Sequence, residues 1–357
     1  MVMASYAILQ PVAQGDRVTI HSSTQVPFIA RSAVSNVLGI PENRVRIVVP
    51  HLGGGFGAKC EVHFEPHLAL LARLVGRPVR LVVDRREELI AQDHRRERMV
   101  IDLETGLDAD GRIVAHTAQV IVDNGAYAAD EPYLTQMAAL FAAGPYRIPN
   151  LHSEARVVYT TTQPTGSVRG PVAPNVCWAL EQHMDALAAA AGIDPVELRL
   201  RNVVVEGDEG PTGQRFEAIR AKETIEEAAR MAGWGQPLPQ GEAIGIATGW
   251  WPSFPMASGA IVRLNADGSG TIMTGAQECG TGAVMALPIL AAEVLGMRPE
   301  EFRIIYQDTD TAAWDGGASG SQTTFNNGRA VVDAATRIRE KLLDLAADEL
   351  EASRDDL

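Results

Sequence analysis

Apolar and polar positions along the chain alternate in short runs that feed helices through glycine-rich turns, the pattern of an α/β (α+β) protein. Arg17–His21 alternates and reads as a strand. Phe28–Leu38 repeats apolar residues at helical spacing and is stopped by Gly39 and Pro41. Val45–Val49 is a second strand, followed by the loop HLGGGFGAK. Phe64–Leu74 is helical and Val79–Val83 a buried strand. Glu97–Leu103 and Ile113–Asp123 read as antiparallel strands around a turn at Asp110-Gly111, and Ser153–Thr162 as another strand. Helices are predicted over Asn175–Ala191, ending at Gly192, and over Lys222–Met231. Beyond them, Ala260–Leu264 and Gly270–Thr274 flank the hairpin signal Asn265-Ala-Asp-Gly268. Val284–Leu295 is a helix, Phe302–Gln307 a strand, and Ala330–Leu350 a long helix.

A second pattern lies inside the first. Ile20 precedes Gln25 by five residues, and Ile272 precedes Gln277 by five. A helix ending in Leu-Gly follows each glutamine (Leu38-Gly39 and Leu295-Gly296), and seven residues past each glycine come Arg46-Ile47 and Arg303-Ile304. From glutamine to glycine the first copy takes 14 residues and the second 19. Such ordered self-similarity points to two related strand–Gln turn–helix–strand units able to close on a ligand from opposite sides. The Gly- and Pro-rich stretch 233–241 (GWGQPLPQG) separates them. The expected domains are 1–232 and 242–357 with 233–241 as linker.

Composition narrows the function. A chain of 357 residues with 46% hydrophobic and 21% charged residues can bury two sizeable cores. A net charge of −14 argues against a nucleic-acid partner. Cys60, Cys177 and Cys279 are scattered and form no CxxC pair, which argues against a cluster or zinc site within the chain and suits a reducing, cytoplasmic setting. The N-terminal residues MVMASYAILQPVAQGDR do not read as a signal peptide, and no apolar run reaches membrane-spanning length.

Candidate chemistry sits in glycine-rich loops. In Gly53–Ala58 followed by Lys59, glycines allow close backbone approach and consecutive N–H groups can face an anion or an oxo group. The Gly-Lys-Ser/Thr ending of a phosphate loop is missing, and a tight turn before a helix is the plainer reading. Gly275–Gly282 (GAQECGTG) and Gly316–Gln322 (GGASGSQ) place small residues and hydroxyls before helices, where terminal amides favour anions. In Gly166–Pro171, Arg169 lies between a valine and a glycine and can offer a fork of donors. His63 and His67 bracket Glu65 four residues apart, but H-E-x-x-H is not matched and packing is the expected role. The runs Asp84–Glu88 and Arg95–Arg98 read as solvated faces.

Taken together, SSTQVPFIARSAVSNVLGIPENRVRIVVPHLGGGFGAK, GPYRIPN, SVRGPVAPNVCWALEQHMDALAAAAGIDPVELRLRN and the Gln277 and Ser319–Ser321 loops resemble the molybdenum hydroxylases, the xanthine dehydrogenase and aldehyde oxidase family, over nearly the whole chain. The resemblance implies a molybdenum–molybdopterin cofactor, in its plain or cytosine dinucleotide form, whose metal is held by the pterin dithiolene and by no protein side chain. It implies oxidative hydroxylation of an aldehyde or N-heteroaromatic carbon with water as oxygen source. It places Gln25 at the position that contacts the apical metal ligand and Phe56, with Gly54, Gly55 and Gly57, where a backbone amide approaches a metal oxygen. Arg169 falls at the family's active-site arginine. Gln277, Gly280, Thr281, Gly282, Ser319, Gly320 and Ser321 fall on pterin-holding loops. Cys60, Met137 and Pro171 fall in the substrate pocket: purine-oxidising members carry a glutamate and an arginine at the first two, and an aromatic ring is usual in the family at the third. Thr281 replaces a common glutamine. The small-molecule substrate is therefore not expected to be a purine. Iron–sulfur clusters and FAD are expected on partner chains, an iron–sulfur subunit and an FAD subunit. The remaining N- and C-terminal parts of a large subunit, with the general-base glutamate, are expected outside these residues. A scaffold that has lost the chemistry and a phosphate-ligand enzyme are the rival readings.

Overall fold

The computed structural model describes residues 4–12, 15–50, 52–91, 95–129, 131–252 and 256–357. The chain packs as two compact units, Met1–Gln92 with Ser253–Leu357, and Asp93–Pro252.

The first unit opens with β1 (Ala4–Val12), antiparallel to β2 (Gly15–Ser22). Helix α1 (Pro27–Leu38) then carries the chain to β3 (Val45–Val48), which runs parallel to β2 with Ile20 opposite Ile47. Pro27 suits the first helical turn, and Phe28, Ala30, Val34 and Leu38 form the buried stripe of α1. After α2 (Glu65–Val75) comes β4 (Val79–Val82), antiparallel to β1, and then α3 (Arg85–Ala91). The sheet order is β3-β2-β1-β4. Val18, Ile20, Val34, Ile47 and Leu68 fill the core beneath it, each contributing about 1.5–3 kcal/mol of apolar burial.

The second unit holds β5 (Met99–Leu107) and β6 (Ile113–Gly125), antiparallel as expected, then α4 (Glu131–Phe141) and β7 (Leu151–Tyr159), which runs parallel to β6. Asp108 makes the β5–β6 turn by accepting the N–H groups of Asp110 and Arg112 at 2.9 and 2.8 Å. Helices α5 (Ala173–Ala191), α6 (Pro195–Asn202) and α7 (Ala221–Met231) complete the unit. Arg199, fully buried on α6, donates to Glu181 of α5 at 2.8 Å, and the Tyr146 hydroxyl donates to the same carboxylate at 2.6 Å.

The chain re-enters the first unit with the hairpin β8 (Ala260–Leu264) and β9 (Gly270–Thr274). Helix α8 (Ala283–Leu295) leads to β10 (Phe302–Ile305), parallel to β9 with Ile272 opposite Ile304, and α9 (Gly328–Leu350) follows a π-helical turn at Thr323–Asn327. This sheet has the order β10-β9-β8. The echo in the sequence is thus the same construction twice: an antiparallel hairpin, a glutamine turn, a helix and a parallel return strand.

Packing does not follow the order of the chain. Both copies lie in one unit, because Arg46 of β3 grips Asp308 through Nε at 3.0 Å and Nη2 at 2.5 Å, and Val49 N–H donates to the Gln307 carbonyl at 2.9 Å. The 233–241 stretch belongs to the other unit: Trp234 packs with Val196 and Ile225 and donates to Asp194 at 2.9 Å, and past the stretch Thr248 N–H donates to Glu181 at 2.8 Å. Helices α3, α4 and α6 and strand β1 go beyond the elements predicted from periodicity. Of the N-terminal stretch weighed as a leader, residues 1–3 and 13–14 lie outside the described residues, as does His51 of the first glycine loop.

Candidate functional site

Gln25 ends β2's run into α1 and is buried, 3% exposed. Its Oε1 accepts the N–H groups of Gly57 and Lys59 at 3.1 and 3.4 Å, and its Nε2 donates to the Ala318 carbonyl. The backbone repeats the link: Gln25 N–H donates to the Lys59 carbonyl at 2.8 Å, and Ala318 N–H donates to the Gln25 carbonyl at 3.0 Å. One glutamine therefore ties the first glycine loop to the Gly316–Gln322 loop. Close approach is enforced by two glycines. A Cβ at Gly55 would sit 2.1 Å from Gln25 Oε1, and one at Gly317, where φ is +101°, would sit 2.6 Å from Val26 Cγ1.

The glycine loop rests on Lys59, 1% exposed, whose ammonium donates to Ser23 Oγ at 2.6 Å and to the Leu52 carbonyl. Burial pulls its pKa below the usual lysine range, opposed in part by Glu88. Phe56 is exposed and adopts φ of +58°, and the Cys60 thiol donates to the Ala318 carbonyl at 3.7 Å. Glu65, between His63 and His67, accepts from Ser22 Oγ at 2.5 Å and from His63 N–H at 3.1 Å, which makes it a structural clamp.

Gln277, in the second copy, is completely buried. Its Nε2 donates to the Gly275 carbonyl at 2.8 Å, while Oε1 is buried without a hydrogen-bond partner among the described residues. Its neighbour Glu278 takes the amides of the loop. Oε1 accepts from Gly280 and Gly282 at 2.7 and 3.2 Å, and Oε2 accepts from Val284 at 3.1 Å. Burial works to raise the Glu278 pKa, but the N–H bonds from Val284, Gly282, Gly280 and Thr281 prevail and hold it below the usual carboxylate range. Thr281, Gly280 and Gly282 are exposed.

Asp315, 1% exposed, shapes the third loop. It accepts from Gly317 N–H at 2.8 Å, Ser258 Oγ at 2.6 Å and Asn327 Nδ2 at 3.0 Å. Gln322 donates to the Gly317 carbonyl and accepts from Asn326 at 2.6 Å. Ser319 and Gly320 are half-buried, and Ser321 is exposed with φ of +62°. Neither Lys59's burial nor Asp315's bracing was read from the sequence, since both depend on partners remote in the chain.

The other expected residues lie in the second unit. Arg169 is exposed, Pro171 half-buried ahead of α5, and Met137 buried on α4. Among the described residues no group of three or more His, Cys, Asp or Glu side chains is placed to hold a metal ion, and no helix is long and apolar enough to cross a membrane.

Two family models, each described as a molybdopterin cofactor-binding domain, match residues 2–203 and 214–357. The chain therefore belongs to the molybdopterin cofactor-binding domain family and carries both of its modules. It is 32% identical over 367 residues to a xanthine dehydrogenase molybdenum-binding subunit of Escherichia coli O157:H7, covering 97% of this chain and 48% of that protein. To the nicotine 6-hydroxylase large subunit of Paenarthrobacter nicotinovorans it is 31% identical over 372 residues, covering 96% and 45%. Among solved structures, the aldehyde oxidoreductase of Desulfovibrio gigas superposes with a TM-score of 0.83 at 28% identity, over 94% of this chain and 38% of that one. The chain spans about half the length of the curated relatives it matches.

The residues present fit a pterin-bound metal group. Gln277 Oε1 is a buried acceptor in want of a donor. Gln25 and the glycine loop offer neutral amides, which can orient polar oxygens without adding charge.

Proposed function

We propose that this chain is the cofactor-holding portion of a molybdenum hydroxylase that oxidatively hydroxylates an aldehyde or N-heteroaromatic carbon. The observation that carries this reading is the convergence of the first and third loops on the carboxamide of Gln25, in a chain of the molybdopterin-binding family. When bound, the cofactor would accept the two electrons released as water's oxygen replaces hydrogen on carbon. The protein's part is to hold and orient. Gln25 fixes the glycine loop by taking the Gly57 N–H, and Gly54, Gly55 and Phe56 present backbone amides toward the group's oxygens. Gln277 and Thr281, with Ser319, Gly320 and Ser321, hold the pterin, and Arg169 orients a polar partner. Because Glu278 already occupies the amides of Gly280, Gly282 and Val284, the second loop holds the pterin through Gln277 Oε1 and Thr281 rather than through those three N–H groups. We also take the two consecutive halves, 1–232 and 242–357 around 233–241, as the units of descent.

The reaction also releases two protons, and a base must accept the first of them. Glu278, the glutamate nearest Gln277 in sequence, is committed to three backbone amides and held below the carboxylate range, a poor base near neutral pH. The base and the electron relay are therefore assigned to partner parts: the rest of the large subunit, an iron–sulfur subunit and an FAD subunit, in the cytoplasm. Cys60 and Met137 offer no charged contact, so purines are disfavoured. Elemental and pterin analysis of the native assembly should find stoichiometric molybdenum, in the plain or cytosine dinucleotide cofactor. Complexes lacking both metal and pterin would refute the reading. A substrate panel should rank aldehydes or N-heteroaromatics above xanthine, and the cofactor-loaded chain alone should not turn over.

A further inference from the structure

The charged run Arg95–Arg98, which reads from the sequence as a solvated face, is only partly one: Arg98 is exposed, Arg95 and Arg96 are half-buried, and Glu97 is buried. Arg96 donates through Nη2 to the Arg169 carbonyl at 2.9 Å and through Nη1 to the Gly170 carbonyl at 3.1 Å. Glu97 is 3% exposed, and its Oε1 accepts the Val172 N–H at 2.5 Å. The Glu97 carbonyl accepts from Asn175 Nδ2 at 2.8 Å. Arg95 anchors the run from the other side, donating to Asp123 at 3.1 Å, Thr162 Oγ1 at 2.9 Å and the Gln163 carbonyl at 3.3 Å. Two adjacent side chains thus grip three residues of the four-residue stretch Arg169–Val172, more than seventy positions away, at two carbonyls and one amide.

Those four residues need gripping. Gly170 has φ of +68° and Val172 φ of +58°, and a β-branched residue in the left-handed region is unfavourable unless its surroundings impose it. An ordinary buried ion pair would place the guanidinium squarely on the carboxylate. Here the nearest approach of Arg96 to Glu97 Oε2 is 3.8 Å, and both groups are turned to loop backbone instead. Burial pushes the Glu97 carboxyl above the usual range, partly opposed by N–H bonds from its own backbone and from Val172 and by the Arg96 and Arg95 charges. A glutamine there keeps an oxygen that can accept the Val172 N–H.

We propose that Arg96 and Glu97 are positioning residues that impose the Arg169–Val172 backbone and thereby aim Arg169 and Pro171 at their ligand, an inference that rests on Arg169 being a site residue. The test compares Arg96→Met, Arg96→Lys, Glu97→Leu and Glu97→Gln with Arg169→Lys in the native assembly, using whichever aldehyde or N-heteroaromatic the wild type oxidises fastest. Arg96→Met and Glu97→Leu should lower kcat/KM on the order of tenfold or more, with pterin content and Tm retained. Glu97→Gln should restore most of it, and Arg96→Lys, able to reach one carbonyl, should fall between. A second readout needs no turnover: trypsin should cut after Arg169 faster in Arg96→Lys than in the wild-type chain. Wild-type kinetics and unchanged cleavage in Arg96→Lys, with Arg169→Lys impaired, would overturn the bracing and leave the Arg169 assignment standing. An unimpaired Arg169→Lys would instead remove that assignment and the proposal with it.

Discussion

The two copies inside the first unit share a scaffold and differ at its tip. In both, a strand ends in a glutamine turn, a helix follows, and a parallel strand returns with isoleucine opposite isoleucine. In the first copy Gln25 reaches outward and is bonded at both ends of its carboxamide by other loops. In the second, Gln277 folds back on Gly275, two residues away, and leaves Oε1 unpartnered. The five extra residues of the second copy account for part of the difference. They hold the Gly280–Gly282 turn, and Glu278, just ahead of that turn, caps α8. One frame thus carries two tips: one is completed by the protein, and on the proposed function the other is completed by the cofactor.

The largest expected effect separates the two glutamines. Gln25→Leu strips partners from the Gly57 and Lys59 amides and from the Ala318 carbonyl, and should cost about 2–4 kcal/mol in the cofactor-free chain. Gln277→Leu removes one hydrogen bond together with a buried orphan acceptor, and should stay within about 1 kcal/mol of wild type while lowering pterin retention in the assembly. Urea unfolding midpoints and pterin content, measured on both variants, decide it. Equal losses of stability would erase the distinction between the tips.

A smaller effect concerns the helix starts and carries a pH signature. Helix α1 begins with Pro27 and an N–H from Val26 to Thr24 Oγ1 at 3.1 Å, so its start has no carboxylate. Helix α8 begins under the Glu278 carboxylate. Glu278→Gln should cost about 1 kcal/mol at neutral pH. Since the folded carboxyl is held below the ordinary carboxylate value, that contribution is complete above the ordinary value and is lost as pH falls through the lower folded one. The stability gap between wild type and Glu278→Gln should therefore close on acidification. A gap that stays constant down to acid unfolding would show that the carboxylate's charge does no work there.

How much of this was legible followed from the range of each interaction. The copies were visible in the sequence because glycine stops, strand runs and the glutamine turns are local signals. The loops were visible because glycine marks them. The destination of a charge is not local. Arg95–Arg98 has the composition of a solvated face, yet Glu97 is buried because its acceptor meets an amide 75 residues on. Likewise Asp315 carries no motif, and only the fold brings Ser258 and Asn327 to it. In the sequence Lys59 reads as the end of a glycine loop. Its burial depends on Ser23 and Leu52 lying beneath it. The compact units were also hidden, since the Arg46–Asp308 pair that binds the copies together joins residues 262 positions apart.

The smallest prediction tests the other half of the comparison, that the scaffolds are equivalent where the tips are not. Helices α1 and α8 end alike. Gly39 and Gly296 adopt φ of +63° and +66°, and a Cβ added to either would meet nothing within 4 Å. The residue after each glycine donates back five positions, Ile40 to the Ser35 carbonyl at 3.1 Å and Met297 to Ala292 at 3.0 Å, and each then packs on the core of its own copy. This is the same left-handed termination with the same hydrophobic closure. With no clash at either site, Gly39→Ala and Gly296→Ala each meet only the backbone cost of a left-handed alanine, about 1 kcal/mol. The two values from chemical denaturation should agree within a few tenths of a kcal/mol, the usual scatter of such measurements for independent sites. A cost at one glycine twice that at the other would mean that the helix ends have diverged as the tips have, and that the shared frame is a likeness of path rather than of energetics.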